Sequence, residues 1–144
     1  MTAGSENLTP MAHVAQNRCF GCGPANPAGL HLEFLLAADD SVVCLAAIPN
    51  IFEGPRGIVH GGIVATLLDE TMSKAVRAKG LTALTRKMEI EYLHPVPSGA
   101  PIRMEGRVLR CEDRKHWTEA RILDEKGTVL ATGSGLFIAF RGRK

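Results

Sequence analysis

Apolar residues recur with a period of two over most of this chain and with a helical period over one long stretch only, and the two periods predict different elements. Leu32, Phe34 and Leu36 alternate with His31, Glu33 and Leu35, and the turn residues Asp39-Asp40-Ser41 lead into Val42–Ile48. This is the pattern of a strand, a hairpin turn and a second strand, closed by Pro49 and Asn50. An irregular stretch over 51–60 follows. From Gly61 to Lys79 the period changes: at 100° per residue Val64, Leu67, Leu68, Thr71, Met72 and Ala75 fall on one stripe, with Glu70, Ser73, Lys74 and Arg77 opposite. Gly80 is a natural helix stop. At about 1.5 Å per residue the predicted helix runs roughly 28 Å, the width of a small domain.

Beyond the helix the period returns to two. Met88, Ile90 and Tyr92 alternate with Lys87, Glu89 and Glu91 until Pro95-Val96-Pro97-Ser98-Gly99 ends the strand. Ile102, Met104 and Val108 alternate with Arg103, Glu105 and Arg107 up to a turn at Glu112-Asp113-Arg114. Thr118, Ala120 and Ile122 alternate with Glu119 and Arg121 up to Asp124-Glu125-Lys126-Gly127. The last run, Val129 to Phe140, is apolar on both faces, which predicts cover on both sides. Two strands, one long helix and three or four strands joined by short turns make an α+β fold, a curved antiparallel sheet wrapped around one central helix. Such a small domain leaves a sheet edge and a helix face uncovered, which predicts a homo-oligomer. Residues 1–18 read as a polar tail with at most a short helix, and residues 19–144 as a single domain whose ordered core starts near Leu30, after the Gly/Pro/Asn-rich stretch Gly21–Gly29.

Composition narrows the class of protein. A chain of 144 residues with 45% hydrophobic and 22% charged residues has the size and balance of one soluble globular domain. A net charge of +2 gives no concentrated basic face for nucleic acid, and the terminal Arg141-Gly142-Arg143-Lys144 reads as a solvated end. Met1–His13 lacks the apolar run of a signal peptide, and no stretch is long and apolar enough to span a membrane, so a cytoplasmic location is expected. The cysteines at 19, 22, 44 and 111 fit reduced thiols. Only Cys19-Phe20-Gly21-Cys22 has metal-site spacing, and without a second pair no metal and no other cofactor is expected.

The candidate chemistry lies where the irregular stretch turns into the helix. His60-Gly61-Gly62 combines free helix-start N–H groups with two residues that have no side chain to block approach, so a developing oxyanion can rest against the Gly61 and Gly62 amides. Asp69 borders the apolar stripe, where a carboxylate is partly desolvated yet reachable, as a nucleophile or general base must be. Glu70, turned about 100° away, points to the polar face.

His60-Gly61-Gly62 with Asp69 at the ninth position after the histidine resembles the helix motif of the hot-dog acyl-CoA thioesterases, the phenylacetyl-CoA thioesterase and thioesterase-superfamily-member group. Cys19-Phe20-Gly21-Cys22-Gly23 followed by Asn26-Pro27 and Gly29-Leu30, and Thr85 followed by Met88 to Pro95, are similar to further motifs of that group. The resemblance implies a hot-dog fold and hydrolysis of an acyl-CoA thioester at sites shared within a homodimer or a dimer of dimers. It implies Asp69 as catalytic carboxylate, Gly61 helped by Gly62 as oxyanion hole, His60 as a positioning or polarising group, and Thr85 as a hydroxyl reaching in from the neighbouring subunit. Many relatives of the phenylacetyl-CoA type carry an Asn six residues before the His, where this chain has Gly54. That departure leaves open direct attack by Asp69 or activation of water, and activated water is the reading adopted, with Glu53 a partial substitute for the Asn.

Coenzyme A phosphates need cations, and Arg56, Arg86, Arg114, Lys115, Arg141 and Arg143 are the candidates. Ile58, Leu68, Met72 and Trp117 are candidate acyl-chain lining and equally candidate core. Three other readings remain: a hot-dog hydratase or dehydratase acting on enoyl or 3-hydroxyacyl thioesters, a non-catalytic acyl-CoA-binding module, and a structural α+β domain with no site. The Gly-Gly after His60 and the position of Asp69 favour hydrolysis over the first. The second lacks a preceding segment long enough for a helix-turn-helix.

Overall fold

A computed structural model describes residues 7–140. Seven strands and one long helix follow one another as β1 (Leu8–Pro10), β2 (Phe34–Ala37), β3 (Val42–Ala47), α1 (Gly61–Arg77), β4 (Ala83–Tyr92), β5 (Pro101–Glu112), β6 (Lys115–Leu123) and β7 (Val129–Ala139). All pairings are antiparallel, in the order β1-β2-β3-β5-β6-β7-β4. The helix packs against β3, β4, β5, β6 and β7. One helix that touches five strands requires the sheet to bend around it, and this is the hot-dog architecture.

The period-2 segments form strands because each has one face to bury. His116, Thr118, Ala120 and Ile122 of β6 are buried while Trp117, Glu119 and Arg121 face away, and Ile102, Met104 and Gly106 of β5 follow the same rule. The helix begins and stops where its sequence dictates: Ala78 and Gly80 donate back to Lys74 and Arg77, and Gly80 takes φ +83°, a conformation open to glycine at little cost. The predicted stripe is the buried one, with Val64, Leu67, Leu68, Thr71, Met72 and Ala75 at most 2% exposed. It meets Phe34, Val42, Cys44, Met104, Ile122, Ala131 and Phe137 of the sheet in one core. No helix among the described residues is long and apolar enough to cross a membrane.

Two expectations are corrected. Leu8–Pro10, read as part of a polar tail, adds an outer strand, pairing Leu8 with Ala37, Thr9 with Leu36 and Pro10 with Leu35. Three residues carry no periodicity, and a short edge strand ending in proline takes its pairing from its neighbour rather than from its own pattern. Glu70, assigned to the polar face of the helix, is only 9% exposed. The loop from Asn17 to Leu32 lies over Glu70, with Gly21 and Cys19 against its carboxylate, and is braced internally by hydrogen bonds from Leu32 N–H to Gly21 O and Leu30 N–H to Phe20 O.

Helix and sheet approach closely at Gly106, where an added Cβ would lie 2.7 Å from Thr71 Cγ2 and 3.0 Å from Thr71 O. Gly106→Ala is therefore expected to lower unfolding stability by about 1–3 kcal/mol through overpacking against backbone that cannot move alone. Urea denaturation with an unchanged slope checks this.

Candidate active site

The start of α1 is set by His60, which caps the helix with φ −56° and ψ 139°. Its Nδ1 accepts a hydrogen bond of 2.8 Å from Gly62 N–H, so the neutral ring carries its proton on Nε2. The backbone beneath it is fixed by His60 N–H to Phe52 O and Val59 N–H to Val96 O. Gly54 lies against it, since a Cβ there would come 3.3 Å from His60 Cα. The cap alters the expected oxyanion site. The Gly62 amide is spent on the histidine, whereas the exposed Gly61 N–H has no acceptor among the described residues. Tyr92 Oη donates to Gly61 O at 2.8 Å and keeps this first helical residue against β4.

Asp69, two turns along α1, is half-buried, and its carboxylate accepts a hydrogen bond from the Thr85 hydroxyl. That contact lies within one chain, whereas the resemblance implied a hydroxyl from a neighbouring subunit. The reason is in β4. Its pairing with β7 slips between Thr85 and Lys87, leaving Arg86 as an extra residue. A bulge reverses the alternation of faces. Ala83 and Thr85 before it therefore point the same way as Met88 and Ile90 after it, all toward the helix.

The other predicted residues are dispersed. Arg86, on the bulge, is exposed, as are Arg56, Arg114 and Lys115, whereas Arg141 and Arg143 fall outside the described residues. Ile58 is half-buried in a bridge with Pro97. Leu68 and Met72, proposed as lining, are 0% exposed and pack on β7 where Gly133 and Gly135 leave room, so they have no surface to offer a ligand within one chain. Trp117 lies on the sheet face away from the helix, under the Arg110 guanidinium at 3.6 Å. Glu53 is held by the Ser98 hydroxyl rather than solvated.

Along α1 the rise of about 1.5 Å per residue puts Gly61 and Asp69 about 12 Å apart and about 80° around the axis. One thioester-sized group cannot touch both in the same helix. Two surface hollows contain neither residue. The larger, about 750 Å³, lies on the outer sheet face among Asp39, Arg103, Glu105, Arg107, Glu119 and Arg121. There, burial would raise the Glu105 carboxyl, but Arg103 and Arg121 outweigh it and hold it below the usual carboxylate range.

Two features escaped the sequence. Tyr92 stood out only as one position of a strand motif, and nothing local ties it to Gly61. The cluster of Cys19, Cys22 and Glu70 joins a loop to the middle of a helix, and both the absence of a second Cys or His pair and the assumed polarity of Glu70 stood against it. Burial, then the adjacent Glu70 carboxylate, pushes the Cys22 thiol up to about 11.

Known proteins resemble this chain in sequence and in fold. A family model described as the thioesterase superfamily matches residues 56–131, which include the helix start, Asp69 and Thr85. The chain is 30% identical over 106 residues to the acyl-coenzyme A thioesterase THEM4 of Xenopus laevis, covering 73% of this chain and 48% of that protein. It spans less than half the length of the first curated relatives it matches. Among solved structures, one thioesterase superfamily protein superposes with a TM-score of 0.78 at 27% identity, covering 86% of this chain and 60% of the other. The Escherichia coli PaaI protein from the phenylacetic acid degradation operon shares the fold, with a TM-score of 0.72 at 18% identity and coverage of 78% and 82%.

The capping role of His60 has a measurable consequence. His60→Ala removes the acceptor for Gly62 N–H and is expected to cost about 0.5–2 kcal/mol of stability, whereas His60→Asn, a good cap, retains most of it. Thermal unfolding of the two variants checks this, and equal losses would count against the cap.

Proposed function

The chain belongs to the thioesterase superfamily, and on that footing we propose that it hydrolyses acyl-coenzyme A thioesters, with Asp69 as general base and the Gly61 amide as oxyanion donor. The observation that carries the reading is the half-buried Asp69 carboxylate held by Thr85, on a helix whose first N–H is exposed and has no acceptor among the described residues. The Thr85 hydroxyl leaves one carboxylate oxygen free to take a proton from water. That water attacks the thioester carbonyl carbon while the carbonyl oxygen gathers charge against the N–H at the positive end of a helix. Collapse of the tetrahedral adduct breaks the C–S bond, and the thiolate takes up a proton to leave as coenzyme A beside the free acid.

Since Asp69 and Gly61 of one helix stand about 12 Å apart, the reading needs two copies, the carboxylate of one facing the helix start of the other. Strand β4 supports such an assembly. It is a ten-residue sheet edge, far longer than β1 at the opposite edge, and it exposes Leu84 (59%) and Tyr92 (55%). Its other exposed residues, Thr85, Arg86, Lys87, Glu89 and Glu91, are polar or charged, but an edge of this length still presents backbone groups that a second chain can pair with. Arg86 on the bulge and Arg56 before the helix are the cations proposed for the coenzyme A phosphates, and Ile58 remains a proposed contact for the acyl group. Residues 19–144 form one catalytic unit in this reading, working in the cytoplasm as a dimer or a dimer of dimers.

Thiol release from a panel of saturated acyl-CoAs is expected for the wild type, and Asp69→Asn is expected to lower kcat by about 10²–10⁴-fold with folding intact. Loss of enoyl absorbance from crotonyl-CoA without thiol release would favour the hydratase instead. Gly61→Pro deletes one N–H at a helix position where proline is well tolerated, so it is expected to cost about 10²–10³ in kcat with little change in melting temperature. Co-expressing the two inactive variants tests the shared site: mixed dimers keep one intact pairing, and about a quarter of the activity returns. Sites contained within single chains would return none.

A further inference from the structure

We propose that Cys19, Cys22 and Glu70 hold a divalent metal ion of the zinc class, clipping the loop before β2 onto the middle of α1. The inference is independent of the thioesterase reading, since Glu70 is turned about 100° from Asp69. One donor atom from each residue lies within 4.8 Å of the others. Cys19 Sγ stands 3.5 and 3.8 Å from the two Glu70 oxygens. Zinc bonds of about 2.3 Å to sulfur and 2.0–2.2 Å to oxygen give tetrahedral edges of roughly 3.5 Å, so these donors need only small side-chain adjustments.

The loop is shaped for this approach. Cys19 N–H is tied to Asn17 Oδ1 at 3.0 Å and Gly23 N–H to Cys19 O at 2.8 Å, which turns both sulfurs to one side. A Cβ on Gly21 would lie 2.6 Å from Glu70 Oε1, and one on Gly23 would lie 2.4 Å from Cys19 N. Glycine at both positions lets the backbone close over a carboxylate. Asn17 Nδ2, 3.5 Å from Cys22 Sγ, is placed to donate to a ligating sulfur.

Charge argues the same way. Two thiolates and a carboxylate carry three negative charges, which a divalent ion and the Lys74 ammonium, 4.0 Å from Glu70 Oε2, offset in full. Thiolates select zinc-class ions over magnesium or calcium. With three protein donors, the fourth tetrahedral position falls to water on the side of Cys19, the exposed member of the set.

The test uses the full chain, purified and kept reduced. About one zinc per chain is expected by elemental analysis, and exchange into Co²⁺ is expected to give a thiolate-to-cobalt charge-transfer band. Cys19→Ser, at an exposed position, is expected to lose both signals, and Cys111→Ser to keep both. Reduced wild-type protein with neither zinc nor the cobalt band overturns the proposal, and so does metal that persists in Cys19→Ser.

Discussion

The hydrogen bond between Thr85 and Asp69 ties the edge of the sheet to the middle of the helix, and it exists because β4 contains one residue too many. In a regular strand Thr85 would point away from the helix if Met88 and Ile90 point toward it, since their positions differ in parity. The core needs Met88 and Ile90 on the helix side, and both are half-buried against it. The slip at Arg86 lets both demands be met at once. A ladder irregularity thus fixes the geometry of a carboxylate on another element.

The helix divides its surroundings into sectors. Its apolar stripe holds the sheet, the loop from Asn17 to Leu32 covers Glu70, and Asp69 is left on the boundary between them, in reach of both core and solvent. Its start lies elsewhere, two turns away, where His60 uses the Gly62 amide and leaves that of Gly61 exposed. The capping histidine thereby selects one donor out of the two that the sequence offers. In the proposed reaction the separation of the Gly61 amide from the Asp69 carboxylate, about 12 Å on one axis, is the reason that two copies are required.

The helix limits, the hairpin at Asp39–Ser41, the strand alternation and Gly80 as stop were legible because each rests on a local rule of period or φ. What was not legible depends on tertiary partners. Glu70 reads as a surface residue on any helical wheel, and only the loop above it buries it. Leu68 and Met72 read equally as lining or core, and the space beside Gly133 and Gly135 makes them core. The bulge at Arg86 had a signal that went unused: Thr85 and Met88, three positions apart, cannot share a strand face unless the ladder slips between them.

That slip has a second effect at the same place. A regular ladder turns alternate residues to opposite faces, so a cation next to Thr85 would be held on the face away from the helix. The extra residue of a bulge lacks a partner in the facing strand, and the local twist increases around it. Arg86, exposed and next to the hydroxyl that holds Asp69, is thus released from the ladder at the edge where a second chain is proposed to pack. A single inserted residue in β4 accounts both for the hold on the carboxylate and for a positive charge at the rim, and this makes the bulge, more than any one side chain, the organiser of the site.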